Sequence, residues 1–361
     1  MSLSVLIAGG GTGGHLYPGI AVARALLARI PDVQVTFVGT ATGIESRVVP
    51  REGFTLDVIR SAGLKGKSLP SLVRGLALLP ASAVDAWSVL SRRRPSVVIG
   101  VGGYSSGPVV GLAALRRIPT LLMEQNAVPG LTNRLLASLV SAAAVTYEES
   151  LAVFGTKAFV AGNPVRPEFF REEAYAEHSS PPGAARVLVF GGSQGAHAIN
   201  VAMVEAAPRL AAAAPAVVIT HQTGERDLEM VRDGYRRAGI EARVEPFLFE
   251  MDREMKAADL VVCRSGATTL AELTASARPS ILIPFPGATD DHQRKNAEAV
   301  ARNGAATMVE QRELTGDRLA REILSLAGNA AERRRMGEAA ARLAKPNAAN
   351  AIVDKVLEMS Q

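Results

Sequence analysis

The chain has 361 residues, 48% hydrophobic and 21% charged, a globular composition too long for a single core of ordinary size, so two domains are expected. Aromatics make up only 4%, which argues against recognition of bases on aromatic stacking platforms; the net charge of +5 suits nucleic acid, an anionic membrane surface or phosphorylated substrates without choosing among them. Cys263 is the only cysteine, so no intrachain disulfide can form and a reducing compartment is comfortable.

Met1 to Ser4 carries no basic segment ahead of an apolar core, so no signal peptide is expected, and no apolar run approaches the roughly 18 residues of a membrane span. Ser4 to Ala8 reads as a buried strand, Gly9 to Gly14 as a glycine loop, and Tyr17 onward as a helix ending near Ile30. Gly9-x-Gly11-x-x-Gly14 matches the dinucleotide fingerprint after a first strand, yet the second strand, Val35 to Val38, runs into Gly39-Thr40-Ala41 with no acid for an adenosine ribose. A nicotinamide enzyme loses ground. His15, at the far end of that loop, is placed either as a general base at neutral pH or as a loop-closing hydrogen-bond donor.

From Ser61 to Pro95 the character changes. Lys65, Lys67 and Arg74 on one side and Arg92-Arg93-Arg94 on the other bracket Leu76, Leu79 and Trp87. Such bracketing suits a surface that dips Leu and Trp among headgroups while cations meet anionic lipid, with Arg116-Arg117 extending it. The rival reading is a helix with its apolar face inward and a solvated basic end. Gly66-Lys67-Ser68 resembles the end of a phosphate-binding loop, but Ser61 stands where that motif needs glycine.

Ser96 to Val101 is the next buried strand and opens into a second glycine loop, Gly102-Gly103-Tyr104. Pro119 to Met123 follows and ends in Glu124-Gln125-Asn126, at the carboxyl edge where open α/β sheets place ligands. The pattern breaks at Gly162-Asn163-Pro164, where a domain boundary is expected, and residues 171–185 read as a polar, proline-rich loop. Arg186 to Phe190 restarts the scheme with a third glycine loop, Gly191 to Ala196. This loop also fits the Gly-x-Ser-x-Gly elbow of serine hydrolases, with Asp259 and His292 following in order for a triad; the alternative is Ser193 as a hydroxyl donor to phosphate.

The apolar run Leu260 to Cys263 stops at Arg264, Ser265-Gly266 supplies a turn with a capping hydroxyl, and a helix follows. The N–H groups of Ala267, Thr268 and Thr269, at the positive end of the helix dipole, suit a diphosphate. Glu272 shares the face of Thr268 and could accept two ribose hydroxyls. An ordinary strand–turn–helix corner with a solvated Glu is the competing view. Further on, Gln293 and Asn296 would present amides to sugar hydroxyls. Neither an Asp-x-Asp pair nor a His/Cys cluster of ligand spacing occurs, so no metal and no cofactor is expected. The C-terminal helix stripes Ile352, Val353, Val356 and Leu357 on one face, long enough to cross back to another domain.

Taken together, Gly9 to His15, Gly102-Gly103-Tyr104, Glu124-Gln125-Asn126, Gly191 to Ala196, Cys263 to Ala267 and the run from Asp291 to Ala297 resemble the MurG family of N-acetylglucosaminyltransferases, from residue 4 to about residue 357. The resemblance implies an α/β fold of the GT-B type: two Rossmann-like, doubly wound parallel-sheet domains facing across a cleft. Residues 1–163 plus 344–361 would form an acceptor- and membrane-binding domain, and 164–343 the UDP-GlcNAc-binding domain. The implied donor set is Thr12, Gly13, Gly14, Asn126, Arg166, Ser193, Leu248, Ala267, Thr268, Thr269, Leu270, Ala271, Glu272, Gln293 and Asn296.

Implied for the acceptor are Gly11, Gly102, Gly103 and Tyr104. The activity implied is inverting, metal-independent transfer of GlcNAc to the 4-hydroxyl of lipid-linked muramyl-pentapeptide, with His15 as base and Glu124 second. The enzyme would then work peripherally on the cytoplasmic face of the bacterial inner membrane, among other cell-wall synthesis proteins and without nucleic acid.

Overall fold

The computed structural model describes residues 3–61, 69–170, 184–192, 194–213 and 216–361. The Lys65 and Lys67 part of the basic segment, most of the proline-rich loop and Ser193 therefore lie outside the described residues. The chain divides into two compact units, Met1–Arg166 with Lys345–Gln361, and Pro167–Ala344.

In the first unit, strands alternate with helices: β1 Ser4–Gly9, α1 Gly13–Arg29, β2 Gln34–Gly39, α2 Glu45–Arg51, β3 Thr55–Val58, α3 Leu69–Arg93, β4 Val97–Gly102, α4 Ser106–Leu115, β5 Thr120–Glu124, α5 Leu131–Leu136, β6 Ala142–Val145, α6 Leu151–Phe154 and β7 Ala158–Val160. The sheet order is β3-β2-β1-β4-β5-β6-β7, with parallel pairing throughout. Central strands such as Val97 to Val101 are buried on both faces, which is why they read as unbroken apolar runs.

The second unit repeats the plan: β8 Ala185–Phe190, α7 His197–Ala211, β9 Val217–Gln222, α8 Leu228–Ala238, β10 Ala242–Glu245, α9 Met251–Ala257, β11 Leu260–Cys263, α10 Ala267–Ala275, β12 Ser280–Leu282, α11 His292–Arg302, β13 Ala306–Met308, α12 Gly316–Ala327 and α13 Ala330–Leu343. Its parallel sheet runs β10-β9-β8-β11-β12-β13. The last helix, α14 Ala348–Met359, belongs to the first unit, where Ile352, Val353 and Val356 join the core of Leu16, Ile20 and Leu26. Burying three such side chains contributes about 5–8 kcal/mol before entropy.

Both sheets reverse their strand order once, between β1 and β4 and between β8 and β11. Loops leaving the carboxyl ends of the two strands at such a reversal diverge and leave a crevice, the usual ligand position in open α/β sheets. All three glycine loops and the Arg264-Ser265-Gly266 turn leave from these four strands.

Candidate functional site

In the first unit the helix starts earlier than the sequence suggested. Thr12 is extended (φ −137°, ψ 155°), its carbonyl accepts the N–H groups of His15 and Leu16, and α1 begins at Gly13 rather than Tyr17. His15 therefore sits in the first helical turn, with Gly13 and Gly14 forming a half-buried, amide-lined tip. The two glycine loops touch backbone to backbone. A Cβ on Gly103 would lie 2.3 Å from the Gly10 carbonyl oxygen, and one on Gly102 2.7 Å from His15 Nδ1. Both have positive φ, so glycine is required there twice over. Gly102 and Gly103 thus make room for the site, while Tyr104 is exposed and Gly11 stands at the open tip of its loop.

Beneath that loop lies Glu45, which the sequence reading missed. It is 1% exposed; its Oε2 accepts Gly11 N–H at 2.8 Å, and Oε1 accepts the N–H and hydroxyl of Thr40, each at 2.8 Å. These bonds outweigh the desolvation that opposes them and hold the carboxyl below its ordinary pKa. Side chains on Gly10, Gly39 or Gly43 would collide with this carboxylate, so the glycines and the acid form one unit.

His15 Nδ1 lies 3.3 Å from Gln125 Oε1, and the buried Gln125 donates through Nε2 to the Val101 carbonyl at 3.0 Å. A carbonyl only accepts, so the Gln125 oxygen must face the imidazole, which assigns the proton to Nδ1 and the lone pair to Nε2. Glu124 is differently placed. Its Oε1 accepts from Asn126 N–H and Nδ2 at 3.0 and 3.2 Å, and its Oε2 from Gly130 N–H and Asn133 Nδ2 at 2.9 and 2.8 Å. With 3% exposure and four donors, Glu124 holds the loop that carries Asn126. Arg166 closes the first unit, its guanidinium 5.2 Å from the Tyr17 ring centroid.

In the second unit, β11 feeds α10 as expected, but the cap differs. Gly266 is the N-cap, with no side-chain cap bond, and the Ser265 hydroxyl instead donates to the Gln293 carbonyl at 2.7 Å. Ala267, Thr268 and Thr269 form the first turn of α10, at the positive end of its dipole. Thr268, Thr269, Ala271 and Glu272 are half-buried, whereas Ala267 and Leu270 pack inward. Arg264 beside the tip is anchored on the carbonyls of Ile283 and Pro284 and on Gln311; burial lowers it to about 10, so it stays cationic at neutral pH.

Asn296 requires a correction. It is fully buried and donates to the Ser265 carbonyl at 3.4 Å, so it supports the turn from behind and has no surface for a sugar. Gln293 is half-buried, with Oε1 committed to Phe285 N–H at 3.0 Å. Leu248 is buried, and its N–H donates to Gln222 Oε1 at 2.8 Å. Gln222, at the end of β9, is a second residue missed from sequence; the run His221-Gln222-Thr223-Gly224 after an apolar strand was the available signal.

The hydrolase triad finds no support: Asp259 binds Arg186 at the amino end of β8, roughly 13 Å of strand from Phe190 at the carboxyl end, where the third glycine loop begins. On α3 the apolar face turned inward is the part of the sequence reading that the burial pattern shows. Ala86, Val89 and Leu90 are buried, while Leu79, Val84 and Trp87 are 42%, 65% and 54% exposed, with Arg116 over the indole at 4.6 Å. Arg92, largely exposed, pairs with Asp57 at 3.2 Å. The side chains of Arg74 and Leu76 lie outside the described residues. Among the described residues no helix is long and apolar enough to cross a membrane, and no group of three acidic, His or Cys side chains is placed to hold a metal.

Residues 5–145 match the glycosyltransferase family 28 N-terminal domain and 186–352 the C-terminal domain of the same family. A UDP-N-acetylglucosamine--N-acetylmuramyl-(pentapeptide) pyrophosphoryl-undecaprenol N-acetylglucosamine transferase of Anaeromyxobacter dehalogenans is 50% identical, covering 99% of this chain and 93% of that relative. One of the same description from Pelobacter propionicus is 49% identical over 98% and 99%. The crystal structure of Acinetobacter baumannii MurG superposes with a TM-score of 0.79 at 28% identity, covering 99% of each chain. With both domains matched in order and half of its residues shared along almost its whole length, this chain belongs to glycosyltransferase family 28, to its MurG group, and has the GT-B fold.

Proposed function

We propose that this chain transfers GlcNAc from UDP-GlcNAc to the 4-hydroxyl of the MurNAc unit of undecaprenyl-diphosphate-linked MurNAc-pentapeptide, inverting the anomeric carbon without a resident metal ion. The second unit holds the donor and the first binds the acceptor. The observation that carries the reading is the line Val101 carbonyl–Gln125–His15, which orients an imidazole with Nε2 as acceptor at a sheet switch point. His15 Nε2 takes the proton of the attacking hydroxyl as the new C–O bond forms and the bond to UDP breaks. Glu124, saturated by four donors, positions Asn126 and is the weaker candidate for base.

Charge accumulating on the leaving diphosphate meets the amides of Ala267, Thr268 and Thr269 and the α10 dipole, aided by the Ser193 hydroxyl and Arg166. Glu272, one turn along, takes the ribose hydroxyls, and the Leu248 backbone meets the uracil. Thr12, Gly13 and Gly14 complete the donor contacts, and the Gly102-Gly103-Tyr104 loop with Gly11 takes the acceptor diphosphate. The exposed Leu79, Val84 and Trp87, with Arg116, seat the enzyme peripherally on an anionic inner membrane. Incubation with radiolabelled UDP-GlcNAc, the lipid-linked acceptor and EDTA tests the reading. A β-linked disaccharide lipid is expected; absence of product, or product only with added divalent metal, would overturn it.

A further inference from the structure

Gln222 joins two segments that the proposed donor site uses separately. It is 2% exposed; Nε2 donates to the Gly192 carbonyl at 2.8 Å and Oε1 accepts the Leu248 N–H at 2.8 Å. Since a carbonyl only accepts and an amide N–H only donates, this orientation of the carboxamide is the one that satisfies both. The Gly192 carbonyl also accepts Gly195 N–H at 3.0 Å. One side chain therefore fastens the glycine loop to the Leu248 segment.

The mount is rigid. A Cβ on Gly195 would come within 1.8 Å of the Thr223 carbonyl oxygen and one on Gly224 within 2.2 Å of the Gln194 carbonyl oxygen, so loop and strand end meet at backbone distance. Asn200 Nδ2 donates to the Thr223 carbonyl and to Asp227 Oδ2, each at 2.9 Å, and Asn200 Oδ1 faces His221 Nε2 at 3.0 Å. His221 Nδ1 lies 2.8 Å from the Tyr235 hydroxyl. Burial pushes this imidazole down to about 3, so it stays neutral, with its proton on Nε2 and Nδ1 accepting from Tyr235.

We propose that Gln222 is a positioning residue that sets the spacing between the nucleoside-binding Leu248 segment and the diphosphate-binding glycine loop, so that a nucleoside diphosphate is gripped at both ends at once. The proposal rests on the donor assignment above. It requires a side chain that donates at one end and accepts at the other.

Gln222→Glu tests this, because its carboxyl group mimics the amide only when protonated. At pH 8 the carboxylate still accepts from Leu248 but opposes the Gly192 carbonyl, and calorimetry is expected to show UDP binding about tenfold weaker than wild type, with uridine binding within about twofold. At pH 5, where burial favours the neutral acid, UDP affinity returns to within about twofold of wild type at that pH. Gln222→Met loses both bonds and shows the weakening without recovery. If wild type binds no UDP, the donor assignment falls and takes the proposal with it. If wild type binds UDP while Gln222→Glu binds it equally well at pH 8, or is weakened equally at both pH values, the positioning role falls and the donor assignment stands.

Discussion

Glu45→Ala probes how much of the first glycine loop depends on one buried acid. The substitution removes the acceptor for three donors and leaves the Gly11 and Thr40 amides facing a void. Orphaning a buried donor costs about 1–3 kcal/mol, so leaving the two backbone amides unmet is expected to cost about 2–6 kcal/mol. For a unit of this size that lowers the melting temperature by about 10 °C. Turnover should fall by about 10- to 100-fold, because the loop that borders His15 loses its anchor.

Glu45→Gln separates shape from charge. With its oxygen kept on Thr40, its NH2 opposes the Gly11 N–H. Because the folded-state pKa of Glu45 is lowered, its contribution is fully present above the unfolded value of 4.5 and is lost as pH falls through the lower folded value. The stability gap between wild type and Glu45→Gln should therefore be full at pH 7 and shrink on acidification below 4.5. Calorimetric unfolding across pH, with parallel transfer assays, is the measurement. An Ala variant melting within about 2 °C of wild type with unchanged turnover would refute this account of the loop.

Three further outcomes are expected. His15→Ala should lower kcat by about 100-fold or more and remove the acidic limb of the pH–rate profile; wild-type turnover across pH would exclude it as base. Glu272→Ala should raise the UDP-GlcNAc KM about tenfold, the scale of a lost charged hydrogen bond, and an unchanged constant would reject the ribose role. Trp87→Glu should weaken pelleting with anionic liposomes without altering the melting temperature by more than a few degrees, since the indole is largely exposed; unaltered pelleting would place the membrane contact elsewhere.

The parallel strands were legible because strands buried on both faces are written as unbroken apolar runs, and the glycine loops because close backbone approach leaves no room for a Cβ. The order reversals then follow from which strands those loops leave. What the sequence hid are the partners. His15 and Gln125 are 110 residues apart, Gly11 and Glu45 34 apart, and Gln222 reaches Gly192 across 30 and Leu248 across 26. No local pattern encodes such bonds. Ser265 shows the same effect at short range: its position suggested a helix cap, but the Gln293 carbonyl from α11 took the hydroxyl. Asn296 looked like a sugar reader because helical spacing gives a face and not its exposure.

The most direct measurement is a crystal structure with UDP-GlcNAc bound in the presence of EDTA. The diphosphate oxygens are expected about 3 Å from the amide nitrogens of residues 267–269, with the ribose on Glu272. A diphosphate seated away from the α10 tip, or donor binding that needs a divalent ion restored, would contradict the assignment.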